Sequence, residues 1–148
     1  MIHAKIIDIK KEKINILTAQ KFIYSTKFGA SVFFTGTVRD INKNKKVIGM
    51  TYDSHDELVI KSFKEISTEI EQKLGIKDKA IFIEHIKGYV DLGEISIIIA
   101  VACKHRDQAY LSSRYIIEEI KKRSPIWKKE HYANEVSEWL EGSSLINN

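Results

Sequence analysis

The sequence predicts an α+β fold, with mixed or antiparallel sheets and two main helices. Three observations predict it. Two long segments carry apolar residues at helical spacing, several shorter ones are rich in β-branched and aromatic residues, and the two kinds do not alternate strictly along the chain.

The first strand is predicted at Ala4–Ile9, which alternates around Ile6, and a short helix at Thr18–Thr26. Ala30–Val38 (ASVFFTGTV) has strand composition. Asp40–Lys46 (DINKNKK) is polar and reads as a loop, with Val47–Tyr52 as the return strand. Asp56–Leu74 carries Val59, Phe63, Ile66, Ile70 and Leu74 at helical spacing, and Gly75 stands where a C-terminal cap belongs. Lys79–Ile86 reads as a strand, followed by a turn at Gly88. Glu94–Cys103 is the most apolar strand and is expected at the centre of the sheet with both faces covered. The second helix is Asp107–Arg123, with Asp107 as its cap and Ala109, Ile116, Ile117 and Ile120 on its inner face. Pro125 ends it, because a proline pushes Ser124 out of the α region and has no N–H to donate.

At 148 residues the chain has the length of a single domain, 1–148, and can bury roughly two-thirds of its unfolded surface. Seven glycines and one proline leave no room for a disordered linker. The lone cysteine, Cys103, excludes an internal disulfide and a cysteine-only metal cage, and suits a reducing compartment. The start, MIHAKIIDIKKEK, lacks the apolar core of a signal peptide, and the longest apolar run, Ile97–Cys103, is too short to cross a bilayer. A soluble, cytoplasmic protein is expected. The net charge of +4 suits an anionic ligand or an acidic partner.

Lys104-His105-Arg106 ends the most apolar strand just where a helix begins. Helix-start N–H groups attract anions, and an arginine fork matches phosphate oxygens, although basic loops that bind nothing are common. Arg39 follows a strand in which Gly36 permits close approach. The lysines of Lys43–Lys46 read as a mobile solvated tip rather than a groove. The stretch SPIWKKEHY is the most unusual: Pro125 fixes a turn, Trp127 is expected to bury its ring as an anchor, and Lys128 is thereby held in place. A lysine fixed near other cations has a depressed pKa and can act as a nucleophile or proton carrier. Lys121 lies four residues before the proline, and Glu130 can orient or pair with Lys128. Lys122 and Arg123 are explained by the helix dipole alone. Cys103 reads as a core residue. His3, His55, His85 and His131 show no metal-ligand spacing, and there is no Walker loop, dinucleotide-binding fingerprint or G-x-S-x-G.

Together these segments resemble one family, the large, catalytic subunit of molybdopterin synthase. The resemblance rests on GASVFFTGTVRDINK (Gly29–Lys43), Tyr52-Asp53, EHIKGYVDLGEISIIIAVACKHRDQAY (Glu84–Tyr110), IKKRSPIWKKE (Ile120–Glu130) and Trp139-Leu140-Glu141. It implies a hammerhead-like α+β fold. It also implies sulfur transfer from the Gly-Gly thiocarboxylate of a small ubiquitin-like sulfur-carrier subunit to a cyclic pyranopterin monophosphate, giving the molybdopterin dithiolene. The large subunits are implied to form a homodimer, a heterotetramer with two small subunits, with no metal or redox cofactor, no nucleic acid and no membrane. By position, Lys121 and Lys128 are implied to be catalytic, and Arg39, His105, Arg106 and Glu130 to bind substrate. The chain departs from the family at His85-Ile86-Lys87-Gly88, where His-Arg usually precedes the glycine, and at Asp53-Ser54-His55. Two other readings compete: a non-catalytic scaffold docking a ubiquitin-like partner, and a basic nucleic-acid-binding domain suggested by the pI of about 9.0.

Overall fold

The computed structural model describes residues 1–133 and 138–139. In chain order the elements are β1 (Ile2–Asp8), α1 (Ile16–Ile23), β2 (Ala30–Thr37), β3 (Ile41–Asn42), β4 (Lys45–Ser54), α2 (Asp56–Leu74), β5 (Lys79–Asp91), β6 (Ile95–Cys103), α3 (Arg106–Arg123), β7 (Ile126–Tyr132) and β8 (Glu138–Trp139). The strands join in the order β2-β6-β5-β4-β7-β8, with β1 added to β5 and β3 to β4. The β1–β5 pairing is parallel and the others are antiparallel, so the α+β fold with a mixed sheet holds.

β5 and β6 form the centre because both of their faces are apolar. Ile81, Ile83, Ile97, Ile99, Val101 and Cys103 belong to a core shared with α2 and α3. The intervening Ala80, Phe82, Ile98, Ala100 and Ala102 pack with Ala19 and Ile23 of α1. The period-2 alternation of a strand divides one apolar run between two cores. α2 contributes Val59, Phe63, Ile66 and Ile70, all fully buried, each contributing about 1.5–3 kcal/mol. Gly75 closes α2 in the left-handed region at φ 69°, its N–H bonded to Glu71 C=O at 3.0 Å.

Three sequence expectations are corrected. Gly88 is not a turn: β5 continues through it to Asp91, and at φ 113° only glycine tolerates the backbone there without strain. Asp107 lies inside the first turn of α3, and His105 is the N-cap, without a side-chain cap bond. The polar segment Asp40–Lys46 is not a loose tip. Ile41-Asn42 pairs with Lys45-Lys46, and the connecting Lys43 (φ 51°) and Asn44 (φ 64°) both take positive φ, as a two-residue hairpin turn with strand-matching twist requires.

Candidate active site

β7 decides the site. Ser124 is extended (φ −80°, ψ 128°), and the chain leaves α3 straight into a strand antiparallel to β4. Trp127 lies opposite Asp53, Lys128 opposite Tyr52 and Glu130 opposite Met50. Alternation then sends Ile126, Lys128 and Glu130 inward, at 0%, 1% and 2% exposure, while Trp127 faces out at 41%. The expected anchor is therefore wrong in identity. Ile126 is the buried anchor, and Lys128 is fixed by strand register rather than by an adjacent tryptophan.

A cavity of about 270 Å³ opens between β7, the end of β2, the β3–β4 hairpin and the last turns of α3. Arg39, Lys121, Lys128 and Glu130 all line it. Lys121 arrives from the final turn of α3, next to Ile117, which lines the cavity one helical turn earlier. Gly36 also borders the cavity, and it must be small: a Cβ there would meet Ile97 Cγ2 at 2.8 Å. His105 and Arg106 are not part of this wall. They start α3, and at 1.5 Å per residue Arg106 stands about 22 Å along the axis from Lys121.

The electrostatics centre on Lys128. Its pKa falls from 10.5 to about 8, chiefly because burial disfavours the ammonium. The charges of Lys121, Arg39 and Lys43 push the same way, and Glu130 opposes them. Glu130 is itself held from two sides: Asn42 Nδ2 donates to Oε1 at 2.5 Å and Tyr132 Oη donates to Oε2 at 2.5 Å. The hairpin thus serves the site through Asn42 and through the charge of Lys43.

Sequence reasoning missed Asn42, Ile41, Ser96 and His85, all of which line the cavity. Tyr52, also on the wall, packs edge-on against His85 with ring centroids 4.9 Å apart at 74°. Burial pushes the His85 imidazole down to about 4 and raises the Tyr52 phenol. The histidine was scattered in sequence and had no neighbour to flag it. The two departures from the family pattern meet in space: Lys87 Nζ lies 3.9 Å from Asp53 Oδ1 and 3.3 Å from Asp56 Oδ2. Among the described residues no three His, Cys, Asp or Glu side chains are grouped to hold a metal, and no helix is long and apolar enough to cross a membrane. Trp139 pairs with Lys129 in the β7–β8 ladder and carries its ammonium 5.1 Å from the ring centroid, while Leu140 and Glu141 lie outside the described residues.

The family model described as MoaE protein matches residues 9–123. This chain belongs to the MoaE family. It is 37% identical to the molybdopterin synthase catalytic subunit of Synechococcus elongatus over 139 residues, 94% of this chain and 84% of that protein. With the subunit of the same description from Pyrococcus abyssi it shares 36% identity over 93% of this chain and 90% of that protein. Among solved structures, molybdopterin synthase from Staphylococcus aureus superposes with a TM-score of 0.85 at 32% identity, covering 94% of this chain and 97% of that one. A chain of the complex of subunits 1 and 2 of molybdopterin-converting factor from Helicobacter pylori gives 0.66 at 26% identity, covering 90% and 85%. Within this MoaE chain Lys121 falls inside the matched span and Lys128 five residues beyond it.

Proposed function

We infer that the Lys121–Lys128 cavity is the sulfur-transfer centre of a molybdopterin synthase catalytic subunit. The acceptor is a cyclic pyranopterin monophosphate, and the donor is the C-terminal thiocarboxylate of a small ubiquitin-like subunit. Two sulfurs, one from each thiocarboxylated tail, complete the dithiolene. The observation that carries this reading is the convergence of Arg39, Lys121 and Lys128, from three separate segments, on one cavity. The likeness to a chain of the Helicobacter pylori complex supports a small-subunit partner.

The chemistry follows from the charges. The thiocarboxylate sulfur attacks a carbon of the precursor, whose oxygen leaves as water. A second water then cleaves the acyl–sulfur bond, leaving the sulfur on the precursor and a carboxylate on the tail, and negative charge develops on the acyl oxygen in that step. A fixed N–H donor at that oxygen lowers the barrier by about 3 kcal/mol, and Lys121 takes that role. Lys128, titrating near 8, gives and takes protons close to neutral pH as the ring phosphate opens. The Arg39 fork receives phosphate oxygens. Glu130 fixes Asn42 and Tyr132 and balances part of the positive field. His105 and Arg106 act on the phosphate or pterin from a second copy of the chain, which agrees with a homodimer of large subunits. Residues 1–148 form one domain in this reading, and the single sheet that connects the strands of the described residues supports it. A cytoplasmic location is part of the reading, and the lone thiol of Cys103 supports it.

The test supplies thiocarboxylated small subunit and precursor to Lys121→Ala and Lys128→Ala. Each variant is expected to lose most product formation while keeping its fold by circular dichroism. Normal product from both would overturn the assignment.

A further inference from the structure

We propose that His85 is a substrate-binding residue whose Nε2 accepts a hydrogen bond from a ring N–H of the heterocycle held in the cavity. The inference rests on the pterin reading of the site and adds to it the group that orients the ring.

His85 lies on β5 opposite Ile97 of β6, in the cavity wall, with 1% of its surface exposed. Its Nδ1 is 2.7 Å from Ile86 C=O. A carbonyl only accepts, so Nδ1 carries the proton of that bond. In a neutral imidazole the other nitrogen is then a bare acceptor. Burial keeps the ring neutral by lowering its pKa to about 4. The Tyr52 ring, edge-on at 4.9 Å, fixes the plane. Two constraints therefore set both the tautomer and the direction of Nε2.

Nε2 is left for a ligand. Among the described residues His85 makes one hydrogen bond, the one through Nδ1. Buried polar atoms normally have a partner, and the side-chain atoms sealed off without one are Gln108 Oε1 and Ser112 Oγ. His85 Nε2 is not among them, and the cavity is the space its side chain borders.

Several other polar groups of the cavity are donors or already paired. Arg39, Lys121 and Lys128 are donors. The Glu130 oxygens receive Asn42 and Tyr132, and Ser96 Oγ donates to Gly36 C=O at 3.2 Å. A phosphate or a thiocarboxylate offers no N–H. A pterin ring offers several, and a neutral acceptor can take one without cancelling the positive field that the anions need. Glutamate in place of His85 would cancel it.

The experiment measures precursor binding by calorimetry and steady-state turnover for His85→Phe and His85→Gln beside Lys121→Ala and Lys128→Ala. His85→Phe keeps the ring volume and removes the acceptor; it is expected to weaken precursor binding about tenfold and raise KM more than it lowers kcat, with small-subunit affinity unchanged. His85→Gln, whose Oε1 can stand near the Nε2 position, is expected to recover part of the loss. In the wild type labelled with 15N-histidine, the Nε2 resonance of His85 is expected to report an unprotonated nitrogen at pH 7 and to shift when precursor is added. That measurement decides the matter if His85→Phe fails to fold. Unchanged precursor affinity in folded His85→Phe, or an Nε2 resonance indifferent to precursor, overturns the role of His85. If Lys121→Ala and Lys128→Ala also keep full turnover, the sulfur-transfer reading falls with it; if either is inactive, only the His85 inference falls.

Discussion

Lys121, in the last turn of α3, and Lys128, in the middle of β7, line one cavity, and the charge of the first lowers the pKa of the second. Lys128 is seven positions after Lys121, but a helix end, a proline and the start of a strand lie between. The relation gives a direct test. Lys121→Gln removes a neighbouring charge and is expected to raise the Lys128 pKa above about 8, whereas Glu130→Gln removes the opposing charge and is expected to lower it. A 13C NMR titration of the lysine ε-carbons reads both. An identical Lys128 titration in all three proteins would show that burial acts alone.

Burying Lys128 costs stability at the pH where the site works. The folded group titrates near 8 and the unfolded one near 10.5, so between these values the unfolded chain binds more protons and stability rises with pH. Below about pH 8 the full penalty is present, about 3 kcal/mol for a difference of this size. Lys128→Met is therefore expected to raise urea stability at pH 7 by about 1–3 kcal/mol while abolishing product formation. The gain should shrink between pH 8 and 10.5. A less stable Lys128→Met protein at pH 7 would mean that the ammonium is compensated in the fold.

His85 produces a dependence of the same sign at acid pH. Its folded pKa is about 4 against 6.5 unfolded, so its contribution is complete above 6.5 and is lost as pH falls towards 4. The loss amounts to about 3 kcal/mol. In His85→Phe the slope of stability against pH over this window should flatten. Denaturant midpoints at half-unit steps from pH 4 to 7 measure it, and parallel curves for both proteins would refute a neutral buried imidazole.

The two residues after Pro125 should behave in opposite ways. Ile126 is fully buried, and Ile126→Ala is expected to cost about 2–5 kcal/mol. Trp127 faces out at 41% exposure, and Trp127→Ala should change folding stability by less than about 0.5 kcal/mol. Thermal unfolding of both variants checks the assignment; a larger loss for Trp127→Ala would restore the tryptophan as the anchor.

The helices were legible because their signals are local. Val59, Phe63, Ile66 and Ile70 recur at helical spacing, and Gly75 and Pro125 mark where helices stop, so α2 appeared with its observed bounds. The apolar run of β6 announced a buried central strand for the same reason. β7 was not legible. A proline, a tryptophan and two lysines read as a turn, and the segment becomes a strand only because β4, more than seventy residues earlier, offers an edge to pair with. Asp40–Lys46 failed likewise: polar composition hides a hairpin whose inward residue, Asn42, finds its partner in Glu130.

By itself the sequence determined the elements with local periodicity, the family resemblance and the residue types of a cationic site: Arg39, His105, Arg106, Lys121, Lys128 and Glu130. The tertiary structure alone decided which of them share a cavity, that Lys128 rather than Trp127 points inward, and that His85 joins the wall. The reason is physical. Helical spacing and chain breaks are properties of neighbours along the chain, whereas strand register, burial and the electric field at an amine depend on groups brought together across the sheet.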